Sequence, residues 1–380
     1  MRLFEPILRA FGVLSFVSVA FAAGPDAFRI AELALNDGRV DDATAVMQAV
    51  LDANPQNGDA MTILGNIAML RGDAKKAAEY YYAAVDSDPG RADFHNNVAL
   101  HELRCGAFDK AYDSLLTANR LDQNHVPTLY NLGTMLLTSR DPLPAAEYFR
   151  KAISVDPNHA PSHYKLGALY MLIGETDEAI REYEAAVKID PSFVDARVDL
   201  GIALLQQGEV HVAASHFRIA AEQDPNKASA HYGLGLAMQQ WGYTQSAIDR
   251  LTKAVELAPE NADYHIDLGL TYLESGAPDA VTLCEQQVLQ SLAVQPDHVR
   301  ANYMAGLYYS DAGKPQLAVS CLQHAIDLGN KDPDTRLTLA VNLLKVGNNA
   351  KAKTILQELV RDLPPENEIR GQAQALLKNT

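Results

Sequence analysis

The chain has 380 residues, of which 48% are hydrophobic, and 48 acidic against 32 basic residues give it a net charge of −16. Such an acidic surface repels nucleic-acid backbones and anionic lipid head groups, and no basic stripe offsets it. The composition therefore disfavours nucleic-acid binding. It favours a neutral or basic protein partner, or a cationic polymer.

The first residues differ in kind from the rest. Arg2 and Arg9 precede an apolar run over residues 10–23, and small residues occupy the −3 and −1 positions of a cleavage site at 20–22. As a helix this run would span only about 21 Å, short of the roughly 30 Å hydrocarbon core. We predict a signal peptide at residues 1–22, an exported and periplasmic protein, and no membrane span after cleavage. An uncleaved N-terminal membrane anchor is the alternative.

From Gly24 onward a unit of 34 residues recurs, and residues 160–191 (APSHYKLGALYMLIGETDEAIREYEAAVKIDP) show it most clearly. Ten units begin at residues 24, 58, 92, 126, 160, 194, 228, 262, 299 and 333, and the eighth is three residues longer than the others. Counting from each start, position 8 is Gly or Ala, position 15 is Gly in nine units, and position 20 is Ala in nine. Prolines close eight units: Pro55, Pro89, Pro157, Pro191, Pro225, Pro259, Pro296 and Pro364.

Each recurring position has a physical reason. Apolar residues at helical spacing predict a first helix over positions 3–14, and Gly at position 15 ends it in a left-handed cap. A second amphipathic helix runs to about position 30, where Asp-Pro stops it. Small residues at positions 8, 20 and 27 let the two backbones approach, and a large residue at position 24 fills the space beside them. The sequence therefore predicts a stack of helical hairpins.

This pattern resembles the tetratricopeptide repeat family over residues 24–366. The resemblance implies an all-α fold, a right-handed superhelical solenoid of about ten 34-residue helix-turn-helix repeats. Apolar residues such as Ile369, Ala373 and Leu376 suit a C-terminal capping helix within residues 367–380. Tryptophan, frequent in the family at position 4, is absent there.

Histidine takes that place in four units, at His95, His163, His231 and His265. Successive units lie about 10 Å apart, whereas zinc ligands lie about 2 Å from the metal, so these rings cannot share one ion. We interpret them as packing residues with a polar edge. The chain also lacks His-Glu-x-x-His, Gly-x-Ser-x-Gly and a phosphate-binding glycine loop. No enzyme activity, cofactor or metal is predicted.

Cysteine is sparse and odd in number: Cys105, Cys284 and Cys321. Cys284 takes the small position 20 and Cys321 lies at position 23 of the next unit. Because adjacent helices lie about 8–10 Å apart, a disulfide between them would require distortion. Buried or half-buried thiols are the better interpretation.

The resemblance further implies that the first helices line a concave groove that holds a partner's peptide or helix. Tyrosine is enriched at binding hot spots, and asparagine can pair with both backbone groups of an extended peptide. The alternative, in which the tyrosines at position 5 only pack between helices, stays open. The groove candidates are Asn66, Asn97, Tyr130, Asn131, Tyr164, Lys165 and Tyr232.

Chaperone-binding members of the family carry a clamp of two asparagines and three cations for an acidic C-terminal tail. Asn66 and Asn97 match the asparagines, but Thr62, Pro127 and Asn131 stand where the cations belong. Binding of such a tail is therefore disfavoured.

Two segments depart from the repeat. The extra residues of the eighth unit fall near residues 276–279, where they would lengthen the turn or the second helix. Residues 139–144 replace the usual glycine turn with a proline-rich one. Two interpretations stay open for these segments, recognition loops or neutral drift, and we favour neutral drift.

We predict a non-catalytic protein-protein interaction scaffold or adaptor, by analogy with exported bacterial proteins of this appearance. It would act in cell-envelope assembly or secretion, such as pilus, outer-membrane or exopolysaccharide biogenesis, and could join a membrane-associated complex. The alternative is a carbohydrate-contacting accessory protein of polysaccharide export, whose tyrosines would stack on sugars.

Overall fold

The computed structural model describes residues 26–137 and 143–378. The predicted signal peptide at residues 1–22 and most of the proline-rich turn at 139–144 lie outside these ranges. Within them the chain forms 21 α-helices and no strand. The helices are α1 (Ala27–Asn36), α2 (Val40–Ala53), α3 (Gly58–Leu70), α4 (Ala74–Ser87), α5 (Ala92–Arg104), α6 (Phe108–Leu121), α7 (Val126–Leu136), α8 (Leu143–Val155), α9 (Ala160–Leu172), α10 (Thr176–Ile189), α11 (Val194–Gln206), α12 (Val210–Gln223), α13 (Ala228–Gln240), α14 (Thr244–Leu257), α15 (Ala262–Ser275), α16 (Ala280–Val294), α17 (Val299–Asp311), α18 (Pro315–Asp327), α19 (Pro333–Lys345), α20 (Asn349–Asp362) and α21 (Glu368–Leu377).

Glycine at position 15 ends the first helix of nearly every repeat. All nine of these glycines have φ between 62° and 82°. This left-handed conformation is energetically unfavourable for any residue that has a Cβ atom. The predicted caps are therefore confirmed. The nine glycines are Gly38, Gly72, Gly106, Gly174, Gly208, Gly242, Gly276, Gly313 and Gly347.

The two helices of a hairpin meet at positions 8 and 24. A Cβ added to Gly133 would lie 2.7 Å from the ring of Phe149, and one added to Gly201 would lie 2.7 Å from the ring of Phe217. Both rings are fully buried. The small and large positions of the repeat thus interlock as the sequence predicts.

The chain divides into two compact bodies, one ending at Asp190 and one beginning at Pro191. In the first body, α3, α5, α7 and α9 pack side by side, and we call this surface the N-terminal wall. In the second body, α11, α13, α15, α17 and α19 form the C-terminal wall. Each wall consists of the first helices of successive repeats.

The three extra residues of the eighth repeat are distributed over its two helices and the turn between them, and they do not form a separate loop. Compared with α13 and α14, which have 13 and 14 residues, α15 and α16 have 14 and 15. The turn between α15 and α16, residues 276–279, is also one residue longer than the turn at 241–243. The insertion therefore lengthens both helices and the turn by one residue each.

The last described helix, α21, packs on the preceding hairpin. Ala373 is fully buried against Leu356 and Leu359, and Ile369 and Leu376 pack at the edge of the same cluster. None of the helices in the described ranges has the length and apolar character needed to cross a bilayer. The helix α21 thus buries the apolar face of the tenth repeat.

Candidate functional site

The position-4 side chains join one repeat to the next. His95 Nε2 lies 3.0 Å from the carbonyl oxygen of Pro89, which closes the preceding repeat. The same contact recurs at the starts of the fifth to ninth repeats, and we call it the proline clamp. Its other members are His163 with Pro157, Arg197 with Pro191, His231 with Pro225, His265 with Pro259, and Asn302 with Pro296. These side chains satisfy a backbone carbonyl at a helix junction, as packing residues with a polar edge would.

The N-terminal wall presents side-chain amides from successive repeats. Tyr81 donates its hydroxyl hydrogen to Asn66 Oδ1 at 2.7 Å, and the exposed Asn66 has no partner for its NH₂ group among the described residues. Asn97 is half-buried and has no side-chain hydrogen-bond partner among residues 26–137 and 143–378. Both candidates therefore keep hydrogen-bonding capacity for a ligand.

A third amide on this wall, that of Asn131, is held by Asn96, which is not among the groove candidates predicted from the sequence. Asn131 Nδ2 donates to Asn96 Oδ1 at 2.9 Å, and Thr128 Oγ1 lies 3.4 Å from the same oxygen. Asn96 is 4% exposed. The side-chain carbonyl oxygen of Asn131 accepts no hydrogen bond from the described residues and is not among the buried unpaired atoms. The adjacent Asn96-Asn97 pair was the signal in the sequence that could have identified this support.

The tyrosines of the N-terminal wall are half-buried over position-24 rings. The ring centroid of Tyr130 lies 6.0 Å from that of Phe149, and Tyr164 lies 5.9 Å from Tyr183. Lys165 Nζ lies 5.5 Å from the Tyr164 centroid. These tyrosines therefore take part in helix packing and also contribute to the wall.

Leucines on the same first helices are unusually exposed. Leu70 is 72% exposed, Leu100 39% and Leu172 67%. Large exposed apolar side chains beside a row of polar groups are typical of surfaces that bind a protein. The N-terminal wall thus combines amides and apolar contacts.

The C-terminal wall is different because its polar groups bind one another. Tyr232 donates its hydroxyl hydrogen to Asp267 at 2.6 Å, and its ring stacks on Tyr264 with a centroid separation of 4.4 Å. Arg300 Nη2 donates to the other Asp267 oxygen at 2.6 Å. Burial, and then the hydrogen bond to Asp267, raise the pKa of Tyr232 above its usual value.

Further contacts extend this network. Asp263 lies 3.1 Å from His298 Nε2 and 3.6 Å from Arg300 Nη1. Tyr303 donates to Asp334 at 3.1 Å. Of the candidates, Tyr232 is therefore engaged within the protein and lies in the second body, whereas the other six share the N-terminal wall.

The described ranges contain no group of three or more His, Cys, Asp or Glu side chains that could hold a metal ion. The three cysteines, all in those ranges, are free thiols. Burial raises the pKa of the Cys284 and Cys321 thiols.

Comparison with protein families decides the classification. Models described as "Tetratricopeptide repeat" match residues 28–92, 126–159, 148–181, 198–238 and 309–377, and one described as "TPR repeat" matches 169–208. The chain belongs to the tetratricopeptide repeat (TPR) family. It is a TPR protein-interaction scaffold.

Relatives of this TPR chain resemble only part of it. The "Type IV pilus assembly protein PilF" of Pseudomonas aeruginosa is 28% identical over 121 residues, which are 31% of this chain and 48% of that protein. A "Protein CTR9 homolog" of Arabidopsis thaliana is 28% identical over 113 residues, 30% of this chain and 10% of that protein. The chain thus spans about half of the first relative's length and a tenth of the second's.

Solved structures share the TPR fold. The APC/C hetero-tetramer Cut9-Hcn1 aligns with a TM-score of 0.56 and 17% identity, covering 80% of this chain and 59% of that one. The structure of Pseudomonas aeruginosa PilF aligns with a TM-score of 0.53 and 20% identity, covering 58% of this chain and 98% of that one. At these identities the likeness concerns the fold.

Proposed function

We infer that the N-terminal wall binds an extended segment of a partner protein. The observation that carries this proposal is the row of amides on α3, α5 and α7, in which Tyr81 holds Asn66 and Asn96 holds Asn131. Asn66 offers a donor and Asn131 an acceptor, so each can pair with a different backbone group of one extended peptide that crosses several repeats. Because these amides are already oriented, little side-chain entropy is lost on binding.

The exposed leucines would supply the apolar part of the interface. Leu70, Leu100 and Leu172 belong to the same first helices as the amides and the two tyrosines. A segment whose backbone meets the amides could rest apolar side chains on these leucines. The partner is therefore expected to be a protein rather than a small molecule.

We place this scaffold in the assembly of the bacterial cell envelope, with pilus biogenesis as the leading process. Two observations support the placement: the partial similarity to a pilus assembly protein, and the sequence features of a signal peptide at residues 1–22. Sequencing the N-terminus of the exported protein tests the second point. A mature protein that begins at Met1 would contradict cleavage.

Partner capture from a cell-envelope extract tests the wall itself. The variant Asn97→Ala/Asn131→Ala removes two wall amides and should reduce capture about tenfold, the equivalent of about 1.4 kcal/mol. Tyr130→Ala/Tyr164→Ala should also weaken capture. The matched control is Asn124→Ala/Asn158→Ala, which changes two exposed turn asparagines outside the wall.

Equal capture by the wild type and both wall variants would reject the assignment. If the wild-type protein binds a polysaccharide on a glycan array and captures no protein from the extract, the result would instead favour the carbohydrate alternative.

A further inference from the structure

The tenth repeat joins the ninth without a proline clamp. The ninth repeat ends at Asn330 instead of proline, and Arg336 takes position 4 of the tenth. Arg336 Nη2 donates to Glu358 at 2.8 Å and Nη1 lies 3.6 Å from Asp362, both on its own second helix α20. The side chain that elsewhere bonds the preceding repeat therefore pairs with carboxylates of its own repeat.

A groove of about 310 Å³ lies between α18 and α20, with α19 beneath it. Ile326, Leu339 and Ile355 provide its apolar surface, and Leu339 is only 1% exposed. Thr354 and Lys351 stand at its rim on α20. This volume is at the lower end of the range for ligand sites, about 300–1,000 Å³, and suits one large apolar side chain.

The charge around this groove is opposite to that of the protein. Its lining includes two cations, Arg336 and Lys351, and one carboxylate, Glu358, in a chain with a net charge of −16. Across residues 26–137 and 143–378, no carboxylate lies within 4.0 Å of the Lys351 ammonium, while Arg336 is already paired. Lys351 is thus an uncompensated cation beside an apolar surface, and an anionic ligand would complement it.

We propose that this groove binds a short protein segment in which a large apolar side chain is followed by a carboxylate. The apolar side chain rests on Ile326 and Ile355, above the buried Leu339. The carboxylate pairs with Lys351, which precedes Ile355 by one helical turn, about 6 Å along the surface. This site is separate from the N-terminal wall and does not depend on the function proposed for that wall.

Fluorescence polarisation with labelled hexapeptides tests the proposal on the full chain. The probe is Ser-Gly-Phe-Glu-Gly-Ser, and its analogues carry Gln for Glu or Ala for Phe. Saturable binding of the first probe is expected, with each analogue binding about tenfold more weakly. An absence of saturation, or equal affinity for the Glu and Gln probes, would overturn the carboxylate assignment.

A charge-reversal pair on one helix supplies the matched control. Lys351→Glu should weaken binding about tenfold, and Lys353→Glu, an exposed neighbour outside the groove, should change it less than about threefold. Both positions are exposed near the start of α20, where an acidic residue favours the helix, so both variants should fold. Equal losses in the two variants would overturn the site. Thr354→Trp should block it, and unchanged binding by that variant would reject the apolar surface.

Discussion

The two walls use equivalent repeat positions in opposite ways. In the N-terminal wall, position 6 carries Asn97 and Asn131, whose amides keep free hydrogen-bonding groups. In the C-terminal wall, position 6 carries Asp267, which binds both Tyr232 and Arg300. The same repeat position therefore leaves a polar group unpaired in one body and pairs it in the other, and the neighbouring repeats decide which.

The strongest test of this contrast concerns Gly233, which occupies position 6 on α13. A Cβ there would lie 2.3 Å from the fully buried ring of Phe217. Gly233→Val should lower the free energy of unfolding by about 3 kcal/mol through overpacking. Urea unfolding followed by the fluorescence of Trp241, the single tryptophan, measures this in the second body.

Gly371→Val is the control for that variant, because a Cβ at Gly371 meets no atom within 4 Å. It should leave stability within about 1 kcal/mol of the wild type. If the two variants unfold alike, the close packing beneath the C-terminal wall is not what constrains position 6.

A second test removes the charge at the centre of the C-terminal network. Asp267→Asn should cost about 1–2 kcal/mol of stability, because Asp267 is 8% exposed and accepts two strong hydrogen bonds while Arg300 is half exposed. Partner capture should not change. Thermal unfolding measures the first effect, with Asp311→Asn, an exposed carboxylate on α17, as control. Reduced capture with unchanged stability would reverse the roles assigned to the walls.

A third test loosens one amide of the N-terminal wall without removing it. Tyr81→Phe deletes the hydroxyl that fixes Asn66 and should reduce partner capture about threefold, at a stability cost of about 1 kcal/mol. Tyr82→Phe is the matched control, since its hydroxyl bonds Glu102 at 2.9 Å instead. The control should lose similar stability but no capture. Equal capture by both variants would show that the orientation of Asn66 is unimportant.

The smallest effect concerns pH and compares two clamp histidines. His163 Nδ1 lies 2.6 Å from Glu182, and this hydrogen bond raises the pKa of His163 above its usual value. Stability from this pair is fully present below the unfolded pKa and is lost as pH rises through the raised folded pKa. Hydrogen exchange in α9 and α10 should therefore quicken on going from pH 6 to pH 8 beyond its intrinsic pH dependence.

His163→Gln should abolish that additional change. His231→Gln is the control, because the Nδ1 atom of His231 has no partner among the described residues. A similar pH response in both variants would remove Glu182 from the explanation.

Much of the fold could be predicted from sequence because its rules are local and repeated. Gly at position 15 needs only its own backbone to end a helix, and Gly133 needs only the Phe149 of its own hairpin. The candidates in the groove were also found from repeat position, since position fixes the helix face. Their part in binding stays a prediction, as do the signal peptide and the periplasmic location.

The sequence by itself determined the helical hairpin, its caps and its interlocking small and large residues, because each depends on contacts within one repeat. Only the tertiary structure decided which polar groups remain free. Tyr130 and Tyr232 share position 5, yet Tyr232 meets Asp267 from the next repeat, a contact 35 residues away in the chain. The open groove beside Lys351 likewise depends on the pairing of Arg336 with the carboxylate of Glu358 on α20. Such pairings depend on rotamers and on neighbouring helices, which a repeat pattern does not encode.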